Sequence, residues 1–358
     1  MTNRCKALIS APVMAVVAFG SFFAANAQTP AARVSTLTAD EQKYKPQRPN
    51  LALSGVEVLP VQGNVYLIAT GKGSNIVAQA GDQGALLVDA SVPDLSDQVI
   101  AEIRKLTKGP IKGIVNTSTD IDHIGGNAKI SAVGQPMFAG NMGYGPVPQA
   151  TIFSHEKALN QISVPSGQTS SVPSALWPTD TFFGDKKKIF FNHEPIEFHY
   201  APGHTDGDIV VWFRRSDVIA AGDVFSTTSY PKFDATRGGT MQGILDGLNH
   251  LIDLAVPEFN QQGGTRIIPG HGRIANQSDV VEYRDMATIV RDRVRDARAM
   301  GMTLDQIKAA RVTLDYDGLY STPSYTGEMF VEAIYNDLSR VASIPAAPAN
   351  GKAAPKGK

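Results

Sequence analysis

Four short polar segments constrain this chain more than anything else in it: NTSTDIDHIGGN (116–127), APGHTDGD (201–208), AAGDVF (220–225) and IIPGHG (267–272). Each follows an apolar, strand-like run, and each offers His or Asp. Each also contains glycine, which lets a backbone turn sharply or approach another group closely. A turn alone would account for any one of them, since Asp and Gly are turn formers and Asp122 could simply cap the helix after it. Four such segments in succession, every one at a strand end, point instead to a single rim on which side chains converge. Three of the seven histidines, His123, His204 and His271, fall in these segments. Imidazole nitrogen and carboxylate oxygen, presented by rigid and separated elements, are what Zn2+ and similar ions bind.

Cysteine usage narrows the metal chemistry. The one cysteine is Cys5, which lies in a segment that reads as an export signal. Arg4 and Lys6 provide its positive start, residues 7–23 are apolar, and Ala25-Asn26-Ala27 is a small-x-small cleavage site before Gln28. Cleavage is preferred to a lasting membrane anchor, because Pro12 and the Ala, Gly and Ser content weaken a span and no flanking positive charge stops transfer. A lipoprotein is disfavoured because Cys5 precedes the apolar run. The mature chain would then lack any thiol, which removes disulfides, a cysteine nucleophile and thiolate-bound zinc. The expected compartment is the bacterial periplasm or the outside. The formal net charge is −1, and losing Arg4 and Lys6 makes the mature chain more acidic. That charge argues against a nucleic-acid partner or an anionic membrane surface.

The remaining organisation follows from periodicity. Residues 28–50 are polar, carry Pro30, Pro46 and Pro49, and read as a linker. Residues 344–358 are rich in Ala, Pro, Gly and Lys and are expected to be disordered. Between them, strands are expected at 56–59, 65–69, 75–79, 85–88 and 111–115, with a helix over 94–107. A second strand group is expected at 189–191, 196–200, 209–213 and 218–221. After it come helix 240–256, strand 265–268 and helices 278–299 and 328–341, the last lining one face with Phe330, Val331, Ile334, Tyr335 and Leu338. Two strand groups, each followed by helices, predict an α/β chain of two packed sheets with outer helices. Regular βαβ alternation, as in a doubly wound fold, is missing. The expected domain spans 51–275, with a helical extension over 276–343.

The four segments resemble the metallo-beta-lactamase superfamily, an αββα sandwich of metallohydrolases, over about residues 51–273. The family's first motif is T-H-x-H-x-D-H-x-G-G, followed by a His in G-H-T-x-G-D, an Asp or Cys at the next strand end, and a His in P-G-H-G. Thr117, Asp122, His123, Gly125 and Gly126 match the first motif, and His204, Asp223 and His271 match the later three. Where the family has two histidines, this chain has Ser118 and Asp120. The resemblance implies that Asp122, His123, His271 and Asp223 form a complete second metal site. It leaves the first site reduced to His204, Asp223 and Asp120. Serine is a poor zinc ligand, and an added carboxylate favours Mn2+ or Fe2+ over zinc, or leaves the site empty. One tightly held ion, zinc, is the expectation, with Asp122 as ligand and orienter of water. Asp120 is the expected general base, its pKa lifted by neighbouring carboxylates, and His204 would orient substrate or protonate a leaving group.

The fold hosts many reactions. The preferred function is hydrolysis of a small-molecule ester, lactone, thioester or phosphodiester. A β-lactam hydrolase and a non-catalytic binding protein are the alternatives. Asp at position 223 speaks against the β-lactam reading, because the family's zinc β-lactamases do not use Asp there. Several other residues have plainer readings. Residues 71–74 (GKGS) read as a hairpin turn before a phosphate cradle, and His199 as a packing or supporting residue. His155 reads as a helix cap, and His193 and His250 as surface or turn residues. Trp177, Phe182, Phe183, Phe225 and Tyr230 are core or pocket candidates. The C-terminal helices could shape the pocket or form a homodimer face.

Overall fold

The computed structural model describes residues 55–138, 148–165, 167–256 and 264–343. The expected signal, the linker and the C-terminal tail lie outside the described residues. Among the described residues no helix is long and apolar enough to cross a membrane.

The first sheet has seven strands in sequence order: β1 (Val56–Gln62), β2 (Val65–Thr70), β3 (Ile76–Gly81), β4 (Gly84–Val88), β5 (Ile111–Val115), β6 (Thr151–His155) and β7 (Asp180–Phe182). Its first four strands pair antiparallel and β4 to β7 pair parallel. The parallel steps need crossovers. These are α1 (Ser96–Leu106) between β4 and β5, then α2 (Ile121–Ile124) and α3 (Asn127–Ala132) between β5 and β6, then α4 (Glu156–Ile162) between β6 and β7. The second sheet comprises β8 (Lys186–Phe191), β9 (Glu194–Tyr200), β10 (Ile209–Phe213), β11 (Val218–Ser226) and β12 (Arg266–His271), in the order β12-β11-β10-β9-β8. Helix α5 (Met241–Leu254) carries the parallel step from β11 to β12. Then follow α6 (Gln277–Ala299), α7 (Leu304–Ala309), α8 (Leu314–Tyr320) and α9 (Gly327–Ser343).

The layering follows from the two-residue period of a strand. Leu86 and Val88 of β4 point inward with Leu67, Val77 and Phe153, where they meet Phe198, Ile209 and Val211 of the second sheet. Their neighbours Ala85 and Leu87 face the other way, onto Val99 and Ile103 of α1 and Ile130 of α3. The second sheet does the same: Val210 and Ile219 point outward, onto Ile244 and Leu248 of α5, Val290 of α6 and Phe330 of α9. Each fully buried aliphatic side chain here contributes roughly 1.5–3 kcal/mol. Because both faces of both sheets are covered, the central strands read as continuous apolar runs. The arrangement is the expected αββα sandwich.

Several expectations need correction in detail. Strand β11 was expected to end at residue 221 and continues to Ser226, with register irregularities at Gly222 and beyond. Strands β6 and β7 and helices α2, α3, α7 and α8 were not anticipated. His155 caps α4 as expected, accepting from the Lys157 amide at 3.2 Å. His250 is not a surface residue: it is half-buried on α5, with Nε2 3.0 Å from Nδ1 of His199. The buried apolar faces of α6 and α9 pack on the second sheet and α5.

Candidate metal centre

The strand ends of both sheets meet at one edge of the sandwich, and the polar segments sit there. After β5 the chain enters the 116–127 segment. Asn116 and Asn127 clasp its two ends by exchanging amide hydrogen bonds at 3.2 and 2.8 Å. Asp120 occupies the N-cap position of α2 but makes no side-chain capping bond. Asp122, the expected cap, lies inside the first turn of α2 instead of at its N-cap. Ser118 is buried and accepts from the Asp120 amide at 3.3 Å, so it serves the turn.

Asp223 is the centre of the arrangement. Gly222 just before it takes a positive φ of 52°, and a Cβ there would press into Thr117. Only glycine lets β11 kink this close to the 116–127 segment and aim the next side chain between the sheets. Oδ2 of Asp223 lies 3.2 Å from His123 Nε2 and 3.9 Å from His204 Nε2, while Oδ1 lies 3.6 Å from His271 Nε2. His271 Nε2 also faces Asp122 Oδ2 at 3.2 Å, and His204 Nε2 faces Asp120 Oδ2 at 2.8 Å. Two trios result, Asp122 with His123 and His271, and Asp120 with His204 and Asp223. Within each trio the potential ligand atoms lie within 4.8 Å of one another. All six expected site residues are thus brought together.

Asp89 is a seventh participant that the sequence showed only as the polar tip of β4. Its carboxylate accepts from the Thr117 amide (2.8 Å), the Thr117 hydroxyl (2.6 Å) and His123 Nδ1 (2.9 Å). With Nδ1 donating to Asp89, Nε2 is the nitrogen His123 turns toward the site, where burial opposes the imidazolium but Asp223 and Asp89 favour it. That atom is buried without a hydrogen-bond partner, facing Asp223. An imidazole held from behind by a carboxylate, with its other nitrogen among two more carboxylates and an imidazole, is the usual setting of a metal-ligating histidine. The donor set fits a divalent ion of the zinc type. Asn75 is a further support, since Nδ2 donates to the carbonyls of Pro269 (3.0 Å) and Gly272 (2.9 Å) and holds the loop that carries His271. The 71–74 turn joins the antiparallel pair β2 and β3, as the hairpin reading expected.

The charges couple strongly. Burial works to raise the Asp223 carboxyl, but His123, His271 and His204 more than offset it and hold it far below the usual carboxylate range. Burial opposes the charge on His204, yet its hydrogen bond to Asp120, with Asp208 and Asp223 nearby, lifts it to about 9. Asp120 departs from expectation. Burial would raise it, but His204 and Arg237 hold it well below the usual range. Nη1 of Arg237 lies 2.5 Å from Asp120 Oδ1. Both oxygens of Asp120 are thus engaged, one by His204 and one by Arg237.

The site opens into a cavity of about 290 Å³. Asp120, Asp122, His204, Asp223 and His271 form its floor, and Ser226, Thr228, Ser229, Tyr230 and Lys232 follow from the chain after β11. Thr322 and Ser324, between α8 and α9, close the far wall, so the C-terminal extension shapes the pocket. Of the aromatic candidates Tyr230 lines this cavity, Phe182 and Phe225 are core, Phe183 is exposed, and Trp177 lines a separate surface hollow. His199 of β9 pairs with Glu197 of the same strand and with His250 of α5.

Residues 58–271 match the metallo-beta-lactamase superfamily. This chain belongs to that superfamily. Over 216 residues it is 21% identical to a metallo-beta-lactamase type 2 of Bacillus cereus, which covers 60% of this chain and 72% of the relative. The sec-alkylsulfatase Pisa1 from Pseudomonas sp. shares the fold at a TM-score of 0.57 and 16% identity, over 84% of this chain and 52% of that enzyme. This chain therefore spans about half the length of that sulfatase. A metallo-beta-lactamase from Pontibacter korlensis aligns at 17% identity and a TM-score of 0.48, covering 65% of this chain and 99% of that one.

Proposed function

We propose that the protein is an exported, metal-dependent hydrolase that works with one ion. The observation that carries this is the convergence of Asp122, His123, His271 and Asp223, with His123 oriented from behind by Asp89. Asp122, His123, His271 and Asp223 would hold the ion, and two imidazoles with two carboxylates suit zinc. When bound, such an ion lowers the pKa of a coordinated water toward about 7 and polarises the bond under attack.

The chain's own residues supply the rest. Asp89 fixes the His123 tautomer and ring plane. Asp122 lines the cavity 3.2 Å from His271 and would serve as ligand and orienter of the attacking water. His204, donating from Nε2 toward Asp120, stands on the opposite side of Asp223 and is placed to orient substrate or protonate a leaving group. The hydroxyls of Ser226, Thr228, Thr322 and Ser324, with the ammonium of Lys232, offer hydrogen-bond donors to a small polar ester, lactone, thioester or phosphodiester. Export is supported by the composition of residues 1–27.

The test is elemental analysis of the purified mature chain, paired with turnover of generic ester, lactone, thioester, phosphodiester and cephalosporin substrates before and after chelation. One equivalent of zinc and chelator-sensitive turnover on a non-lactam class are expected. Two tightly bound equivalents would overturn the one-ion reading, and neither metal nor turnover would favour a binding protein. Asp89→Ala is expected to weaken the ion's binding by about 10–100-fold while the four ligands remain. A metal titration checks this, and an unchanged affinity would show that His123 needs no such support.

A further inference from the structure

The trio of Asp120, His204 and Asp223 has ligand atoms close enough to hold an ion, yet a cation already stands against it. Nη1 of Arg237 is 2.5 Å from Asp120 Oδ1 and donates to Thr119 Oγ1 at 3.1 Å. Its Nε donates to Asp234 Oδ2 at 2.8 Å. The second oxygen of Asp120 is taken by His204. A guanidinium does not give up its proton in a protein, so this positive charge is permanent.

The guanidinium is held in place from several sides. Arg237 ends a single turn of 3-10 helix, Ala235–Arg237, capped at its start by the Asp234 side chain and ended by Gly238 at φ 80°. That turn is fastened to the one bearing His204. The Asp234 amide donates to the His204 carbonyl at 2.7 Å, and the Asp206 amide donates to the Arg237 carbonyl at 2.9 Å. Gly239 lies so close to the His204 carbonyl oxygen that a Cβ would collide with it. On the other side, Thr119 donates to Gln161, which donates to Asp206 at 2.6 Å. Backbone bonds thus tie the Arg237 turn to the His204 turn, and the side-chain relay Thr119–Gln161–Asp206 ties the Asp120 segment to the same place.

We propose that Arg237 is the resident cation of this trio, neutralising Asp120 and excluding a second divalent ion. The proposal rests on the one-ion reading above and names the residue responsible for it. A divalent ion between Asp120, His204 and Asp223 would sit within a few ångströms of a fixed positive charge, and it would have to take from Arg237 the oxygen that Arg237 now neutralises.

The experiment strips the purified protein with chelator. It then titrates Zn2+, and separately Mn2+, against a competing chromophoric chelator, reading stoichiometry and affinity for the original chain, Arg237→Gln and Arg237→Lys. The original chain is expected to take one ion. Arg237→Gln should bind a second at least about tenfold more tightly than the original chain does, and Arg237→Lys, which keeps the charge, should stay at one. A single ion in the original chain, with Arg237→Gln folded by thermal melting and indistinguishable from Arg237→Lys, would overturn the role of Arg237 and leave the one-ion reading intact. Two ions in the original chain would sink both. Should Arg237→Gln fail to fold, Ser118→His/Asp120→His with Arg237 retained decides the matter. Continued refusal of a second ion supports the proposal, and two ions of matched affinity overturn it.

Discussion

Asp223→Ala is expected to yield a folded protein that retains no ion and turns over no substrate. The reason is geometric. Asp223 alone faces all three site imidazoles, with His123 and His204 near one oxygen and His271 near the other. Its removal takes a ligand from the complete site and also the counter-charge that makes the buried pocket tolerable to a cation. An ion acting as Lewis acid supplies several kcal/mol of transition-state stabilisation, and about 1.4 kcal/mol is a factor of ten in rate. Turnover should therefore fall by at least about 10³-fold. Asp223→Asn, which preserves shape, should lose nearly as much, separating the charge from packing. Metal content by elemental analysis and thermal melting accompany the rate measurement. A full equivalent of ion retained by a variant whose rate is within about tenfold of the original would remove Asp223 from the centre.

How far the sequence showed this centre can be traced residue by residue. Segments with an unbroken apolar run, such as 85–88 and 209–213, became β4 and β10 because two covered faces demand apolar side chains on both. Strand β6 escaped notice because Thr151, Ser154 and His155 are polar and yet buried, so its run lacks the expected period. Helices α2 and α3 meet at Gly125 and Gly126, which read locally as a loop. Asp122, His123, His204, Asp223 and His271 were legible because each lies in a segment whose glycines and strand-end position are themselves informative. Asp89 was not, since one acid after an apolar run signals a turn as readily as a support for His123. It holds a left-handed backbone at φ 64°, a conformation Asp adopts more readily than most residues, and only the folded arrangement brings Thr117 and His123 to it. Arg237 was invisible for a similar reason. It belongs to an unremarkable polar turn, residues 234–239, and acquires meaning through a contact 117 positions away in sequence, with Asp120.

A chain ending at residue 275 is expected not to fold, although the superfamily match itself stops at residue 271. The C-terminal helices cover the outer face of the second sheet, where Val280, Tyr283, Met286, Val290, Phe330 and Ile334 are all buried in one core with α5 and β11. Without these helices the outer face of the second sheet and of α5 would stand open to water, at roughly 1.5–3 kcal/mol for each large apolar side chain uncovered. Polar ties add to this. Tyr230, in the cavity wall, donates its one hydroxyl proton to Asp317 at 2.9 Å with the Thr313 carbonyl alongside at 3.2 Å, and stacks on Phe330 with ring centroids 4.9 Å apart. Tyr283 donates to the Ser229 carbonyl at 2.9 Å. Cavity and extension are therefore one structure, and damage to the second should reach the first. Phe330→Ala is the milder test. It should cost about 3–5 kcal/mol by denaturant unfolding and also reduce turnover, because the stack beneath Tyr230 and the wall carrying Thr322 and Ser324 would loosen together. A soluble 28–275 fragment that unfolds cooperatively and binds one ion would show that the extension is dispensable. The cavity would then have to be rebuilt without its far wall.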